Sequence, residues 1–205
     1  MTAVLFDMFG VIACHQPADA CARLEATAQV PGKDFWDSYW GLRQPYDRGD
    51  QSGPEYWRTV ADSLGVSFDE RRTEALIAAD TASWSEVDAE MVQFIGELAD
   101  GGTRIGLLSN IPEELAAHYE KHQPWLRNFE FLAFSCRIGH AKPEPGAYTW
   151  CSDAFGLAPE DVLFVDDRQD NVRAAEALGM RAHLFTSLAT LKPALAESAL
   201  RPAGG

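Results

Sequence analysis

The chain has 205 residues, 46% of them hydrophobic, and a formal net charge of −14. This acidity argues against binding to nucleic acid or to an anionic membrane surface, since both need a basic face. The longest apolar runs fall well short of the ~20 residues of a membrane span. The start of the chain lacks a basic leader, and the four cysteines form no CxxC pair. We therefore expect a cytoplasmic protein with reduced thiols, as a monomer or weak homodimer.

Short apolar runs alternate with helical patterns along most of the chain. Five runs are typical of buried strands: AVLF, TRIGLLSN, FEFLAFS, DVLFVDD and RAHLF. The segment SEVDAEMVQFIGELADGG predicts a helix that begins at Ser85 and ends at Gly101 and Gly102. Three more helices are predicted over PEELAAHYEKH, GAYTWCSDAFG and DNVRAAEALGM. This alternation predicts an α/β fold with a parallel sheet covered on both faces.

The region from about 17 to 82 interrupts this alternation. It has no convincing strand but several helical patterns: ADACARLEATA, DFWDSYWGL, GPEYWRTVADSLG and DERRTEALIAAD. We predict that 15–82 form an inserted all-helical domain, and that 1–14 and 83–205 together form the sheet domain. Within the insertion, PYDRGDQS (45–52) is predicted to be a loop and a candidate lid. Its Arg48 could reach the substrate, or could pair with Asp47 or Asp50 at the surface.

Polar residues follow the predicted strands at the points where the strands end. They are Asp7, Ser109, Asn110, Asp166 and Asp167, with Lys142 in the loop after the third strand. Any one of them alone could be a turn former or a helix cap. Because ligands of open α/β sheets bind at the carboxyl ends of the strands, we expect all of them to face one crevice.

These side chains suggest phosphoryl chemistry. Three carboxylates in one crevice stay ionised together only if a cation neutralises them, and hard oxygen ligands suit Mg²⁺. Lys142 offers a positive charge to a bound phosphate, while Ser109 and Asn110 offer neutral hydrogen bonds. Asp7 could then act as both a metal ligand and a nucleophile that passes through an aspartyl-phosphate.

The set VLFDMFGV, LLSN, HAKPEP and VLFVDDRQDN resembles the four motifs of the haloacid dehalogenase superfamily of hydrolases. The inserted helical block is similar to the C1 cap of that family. The fourth motif has two adjacent acids, Asp166 and Asp167. Together with LSN and KP, this pair makes the sequence most similar to the α-D-glucose-1-phosphate phosphatase branch. This resemblance implies a Rossmann-like α/β core with a helical cap. It also implies Mg²⁺-dependent hydrolysis of a small phosphorylated metabolite, with a sugar phosphate as one candidate.

The resemblance also implies roles by position. Asp7 matches the nucleophile and a metal ligand. Phe9, two places later, would bind the metal through its carbonyl oxygen. The other matches are the phosphate-binding hydroxyl of Ser109, the amine of Lys142 beside the nucleophile and phosphate, and the metal-binding acids Asp166 and Asp167.

Phe9 is a departure from the family pattern. Most phosphatases of this superfamily have an aspartate there as general acid and base, a contribution typically worth 10²–10⁴-fold in rate. Three interpretations remain: a phosphatase from a branch that also lacks this acid, a 2-haloacid dehalogenase, and a catalytically impaired binding protein. Dehalogenases typically work without metal, which would leave the acid pair at 166 and 167 unexplained. His15 or His140 could replace the proton donor, although an exposed loop histidine is the simpler interpretation of each.

Overall fold

A parallel five-stranded sheet forms the centre of the computed structural model, which describes residues 3–199. The sheet order is β3-β2-β1-β4-β5. The strands are β1 (Ala3–Phe6), β2 (Ile105–Ser109), β3 (Leu132–Phe134), β4 (Val162–Asp166) and β5 (Arg181–Leu184). The predicted α/β fold is therefore confirmed.

The central strand β1 is buried on both faces. Val4 and Phe6 belong to one hydrophobic cluster, and Ala3 and Leu5 belong to another on the opposite face. Neighbouring residues of a strand point to opposite faces, so a strand covered on both sides reads as one continuous apolar run. This arrangement places Asp7 at the carboxyl end of the central strand, between the ends of β2 and β4.

The first five helices after β1 form a separate helical unit. They are α1 (Ala18–Ala28), α2 (Lys33–Gly41), α3 (Arg43–Asp47), α4 (Gly53–Ser63) and α5 (Glu70–Ser83). They enclose a core of their own that includes Tyr39, Tyr56 and Trp57. A small helical unit needs such large side chains to bury enough apolar surface. We call these helices the cap.

The cap core also contains a buried ion pair. Arg43 and Asp80 are 6% and 3% exposed, and Arg43 Nη1 donates to Asp80 Oδ2 at 2.7 Å. The same nitrogen lies 2.7 Å from the Tyr39 hydroxyl, which in turn donates to Asp80 Oδ1. Arg43 Nε donates to Asp47 at 2.8 Å. The guanidinium is thus held by acceptors of the cap itself.

Removal of Asp80 should destabilise the cap, because Arg43 would keep its buried charge and lose its main partner. We expect Asp80→Ala to lower the free energy of unfolding by about 3–5 kcal/mol in urea denaturation. Asp37→Ala is the matched control, since it breaks the exposed pair with Lys33 and should change nothing measurable. Equal changes in the two variants would contradict a structural role for the buried pair.

The remaining helices cover the two faces of the sheet. They are α6 (Ala89–Asp100), α7 (Glu113–His122), α8 (Ser135–Ile138), α9 (Pro145–Phe155), α10 (Gln169–Ala177) and α11 (Leu188–Ala199). Short 3₁₀ turns lie at Pro124–Asn128 and Pro159–Asp161. Within residues 3–199, no helix is both long and apolar enough to cross a membrane.

Two local predictions were wrong. Helix α6 begins at Ala89 and not at Ser85, because the Asp88 carboxylate caps the free amides of Glu90 and Met91. The segment 45–52 is not all loop, since its first residues belong to α3 (Arg43–Asp47).

Candidate active site

Asp7 lies at the base of a crevice between the sheet and the cap. Its side chain is buried, with Oδ1 2.6 Å from Lys142 Nζ and also accepting the Met8 amide at 2.6 Å. Burial raises the pKa of Asp7 well above its usual value, Lys142 counteracts part of that rise, and Asp166 adds to it. A cation bound here would favour the ionised carboxylate, as a metal ligand and a nucleophile both require.

Asp166 holds Lys142 in place. Lys142 Nζ lies 2.8 Å from Asp166 Oδ2, and the Asn171 amide lies 3.0 and 3.1 Å from the two carboxylate oxygens. The Arg168 amide donates to Oδ1 at 2.8 Å. Burial alone would raise the pKa of Asp166, but Lys142 and these hydrogen bonds outweigh it and lower the pKa. The pKa of Lys142 is raised as well, because the carboxylates of Asp7 and Asp166 outweigh the opposite effect of burial.

Asp167 leaves one buried oxygen without a partner. Its Oδ2 lies 3.0 Å from His15 Nε2, whereas Oδ1 has no hydrogen bond within the described part of the chain. Gly10 has φ +85°, and a Cβ there would lie 2.2 Å from Asp167 Oδ2. The turn after β1 therefore passes so close to the Asp167 carboxylate that only glycine fits at position 10.

Three carboxylates of this crevice fit a divalent cation. One oxygen each from Asp7, Asp166 and Asp167 lie within 4.8 Å of one another. Hard oxygen donors at this spacing, with an unpartnered oxygen on Asp167, match the chemistry of a Mg²⁺ site.

The two polar residues after β2 have different surroundings. Ser109 is fully buried, and its hydroxyl has no hydrogen-bond partner among residues 3–199. The Asn110 side chain instead bridges to the main chain of Lys142, donating to its carbonyl at 2.8 Å and accepting its amide at 2.7 Å. Asn110 therefore fixes the loop that carries Lys142, with one amide hydrogen left for a ligand.

A cavity of about 170 Å³ opens above these groups. It is lined by Asp7, Phe9, His15, Trp40, Arg43, Asp47, Trp84, Asn110, Leu115, Lys142, Asp167, Arg168 and Asn171. The ring of Phe9 packs edge-on against Trp84 at a centroid distance of 5.0 Å and against Tyr119 at 5.9 Å. The position that usually carries an acid is thus part of an aromatic wall.

Arg48 does not line this cavity. Its guanidinium pairs with Asp50 and, at 3.0 Å, with Glu144 between α8 and α9. Asp50 is one of the two surface partners predicted for Arg48, and that prediction is confirmed. The pair with Glu144 joins the cap to the sheet domain. His140 is also absent from the cavity wall and lies 3.8 Å from Glu144.

Sequence reasoning missed three residues of the cap side, namely Trp40, Arg43 and Asp47. Their helical spacing was visible, but a helix pattern alone does not show which side faces the cavity. His15 was considered only as an exposed loop histidine or a proton donor, whereas the structure places it against Asp167.

Comparison with known proteins agrees with these motifs. The family model described as haloacid dehalogenase-like hydrolase matches residues 1–179. A sesquiterpene phosphatase from Aspergillus oryzae is 27% identical over 191 residues, covering 92% of each chain. The mouse bifunctional epoxide hydrolase 2 is 33% identical over 208 residues, covering 85% of this chain but only 34% of that protein.

Solved structures share the fold. A haloacid dehalogenase family enzyme from Bacteroides thetaiotaomicron, in complex with magnesium and inorganic phosphate, has a TM-score of 0.75 at 18% identity. The superposition covers 93% of this chain and 98% of the Bacteroides enzyme. The L-2-haloacid dehalogenase from Xanthobacter autotrophicus has a TM-score of 0.69 at 19% identity, covering 98% of this chain and 85% of that one. The family match spans most of the sequence and includes every motif of the crevice, so the chain belongs to the haloacid dehalogenase-like hydrolases.

Proposed function

We propose that the protein is a Mg²⁺-dependent phosphatase that hydrolyses the phosphomonoester of a small metabolite through an aspartyl-phosphate on Asp7. The observation that carries this proposal is the carboxylate cluster around Lys142, with unpartnered oxygens on Asp167 and Ser109. A dehalogenase, which typically works without metal, would leave the acid pair Asp166 and Asp167 unexplained. Relatives named as phosphatases add support.

Each residue of the crevice has a proposed role. Asp7, Asp167 and the Phe9 carbonyl would hold Mg²⁺, with Asp166 as the third carboxylate within reach. The bound ion would neutralise charge on the phosphate and the carboxylates. Lys142 and the Ser109 hydroxyl would bind the phosphate oxygens. We further propose 15–82 as the cap domain and 1–14 with 83–205 as the core.

The reaction would have two displacements at phosphorus. An Asp7 carboxylate oxygen attacks phosphorus, the ester P–O bond breaks, and the leaving alkoxide takes a proton from water and departs as the alcohol. Water then attacks the aspartyl-phosphate, which releases inorganic phosphate and restores Asp7. Phe9 cannot protonate the leaving oxygen, so esters of poorly acidic alcohols should react slowly.

Substrate tests separate the three candidate functions. We expect Mg²⁺-dependent phosphate release from p-nitrophenyl phosphate and from members of a panel of metabolite phosphates. Halide release from L-2-chloropropionate without metal would instead identify a dehalogenase. A folded protein with neither activity would support the interpretation as a catalytically impaired binding protein.

Metal binding can be tested without turnover. At about 100 times its Kd, Mg²⁺ should stabilise the wild-type chain by about 2.7 kcal/mol and raise the melting temperature by several degrees. Asp167→Asn should remove this shift, because the unpartnered oxygen supplies one ligand. Asp170→Asn, a change in the exposed first turn of α10, is the matched control and should keep it. Equal shifts in wild type and Asp167→Asn would contradict the proposed ligand.

A further inference from the structure

The cavity has one polar end and one apolar side. Asp7, Lys142 and Asp167 form the polar end, at the carboxyl edge of the sheet. The apolar side consists of Phe9, Trp40, Trp84 and Leu115. These four come from different parts of the chain, namely the turn after β1, α2, the end of α5 and α7. We call them the apolar wall.

The aromatic members of the wall pack against one another. Trp84 lies 5.0 Å from the Phe9 ring and 5.9 Å from the Trp40 ring, both edge-on. Trp84 is buried, but Trp40 is 52% exposed, the most exposed large hydrophobic residue among those described. An exposed tryptophan on the wall of a cavity leaves apolar surface that a bound hydrocarbon group could cover.

Two polar side chains on the cap side, Arg43 and Trp84, donate to partners within the protein. Arg43 donates to Tyr39, Asp80 and Asp47, and its guanidinium lies 5.0 Å from the Tyr46 ring. The Trp84 indole N–H donates to the Tyr39 hydroxyl at 3.1 Å. The side chain of Arg168, which lines the cavity, has no partner in the described part of the chain, and this residue directly follows Asp167 of the polar end.

A sugar would fit this arrangement poorly. Its hydroxyl groups would give up water without gaining hydrogen-bond partners on this side, and burial of an unpaired polar group is unfavourable. A hydrocarbon ring would lose nothing there and would cover Trp40.

We propose that the substrate is the phosphate monoester of an apolar alcohol, with its phosphate at the carboxylate cluster and its hydrocarbon group against the apolar wall. This inference rests on the proposed phosphatase function and specifies its substrate class. This substrate class differs from the sugar phosphate implied by the resemblance to the glucose-1-phosphate phosphatase branch.

Two esters with the same ring size and the same linkage to phosphate provide the test. Cyclohexylmethyl phosphate and glucose 6-phosphate both join a six-membered ring to phosphate through a primary alcohol, so the missing acid at Phe9 affects both. With Mg²⁺ present, kcat/KM should be about 10²-fold higher for cyclohexylmethyl phosphate. Trp40→Ala should reduce this ratio about tenfold. Trp150→Ala, which removes a 37%-exposed tryptophan outside the cavity, should leave the ratio unchanged.

Each other outcome has a definite meaning. Equal values for the two esters, or a preference for glucose 6-phosphate, would overturn the apolar substrate and leave the phosphatase function standing. A ratio that falls equally in Trp40→Ala and Trp150→Ala would overturn the role of the wall. No phosphate release from either ester or from p-nitrophenyl phosphate would overturn the phosphatase function, and the substrate class with it.

Discussion

An Asp7→Asn variant should release phosphate from p-nitrophenyl phosphate at least about 10³-fold more slowly than the wild-type chain with Mg²⁺ present. The amide cannot attack phosphorus as a carboxylate does, and it is a weaker ligand for a hard cation. The measurement is initial phosphate release at saturating substrate. The substitution acts on the nucleophile and the metal site together, which is why we expect one of the largest effects in the chain here.

The fold should survive this change. Asparagine has nearly the same shape as aspartate, and Lys142 keeps its contact with Asp166 at 2.8 Å. Thermal unfolding followed by circular dichroism should show a folded variant. Asp50→Asn is the control, since it removes a carboxylate that pairs with Arg48 outside the cavity and should retain full activity. A folded Asp7→Asn variant with activity within about tenfold of wild type would exclude Asp7 as the nucleophile.

A Phe9→Asp variant should have the opposite effect. Phe9 lies two residues after Asp7 and lines the cavity, at the position where most phosphatases of the family have their acid and base. We expect kcat for an alkyl phosphate to rise by about 10–10²-fold, which reaches only the lower end of the range for general acid–base help. The gain should be smaller for p-nitrophenyl phosphate, whose leaving group departs without a proton.

Phe9→Asn is the matched control for this gain. Both substitutions remove the contacts with Trp84 and Tyr119, so both should lose similar stability. Only the aspartate can transfer a proton. If Phe9→Asp is no faster than Phe9→Asn on the alkyl phosphate, the missing acid does not limit this protein.

The sheet and the position of the crevice were predictable from the sequence for a physical reason. Parallel strands end at the same edge, so residues that follow β1, β2 and β4 must lie near one another. Asp7 and Asp166, 159 positions apart, both contact Lys142 for this reason. The apolar runs also predicted burial on both faces, as β1 shows.

The cap side of the crevice was not predictable in the same way. Arg43 and Arg48 lie five residues apart in and after the same short helix, but only Arg43 faces the cavity. Which side of α3 faces inward depends on how the cap packs against the sheet. The hydrogen bond from Tyr46 to Glu114 at 3.0 Å and the pair between Arg48 and Glu144 fix that packing. Both are contacts between distant segments and leave no local pattern in the sequence.

Helix α11 shows a different limit. Its segment contains Pro193 and follows the fifth strand without a clear apolar stripe, so no helix was predicted there. Leu188 and Leu191 nevertheless pack into the same cluster as Phe6 and Val165. Tertiary packing thus stabilises a helix whose own sequence pattern is weak.

Borohydride trapping of the intermediate tests most directly whether Asp7 carries the phosphoryl group. The enzyme would be mixed with Mg²⁺ and p-nitrophenyl phosphate, quenched in acid during turnover and reduced, since borohydride converts an aspartyl-phosphate to homoserine. The lack of an acid and base at Phe9 should slow attack by water and let the intermediate accumulate. We predict homoserine at position 7 in the peptide mass spectrum. Turnover with unmodified aspartate at position 7, or with homoserine at another position, would contradict the proposed mechanism.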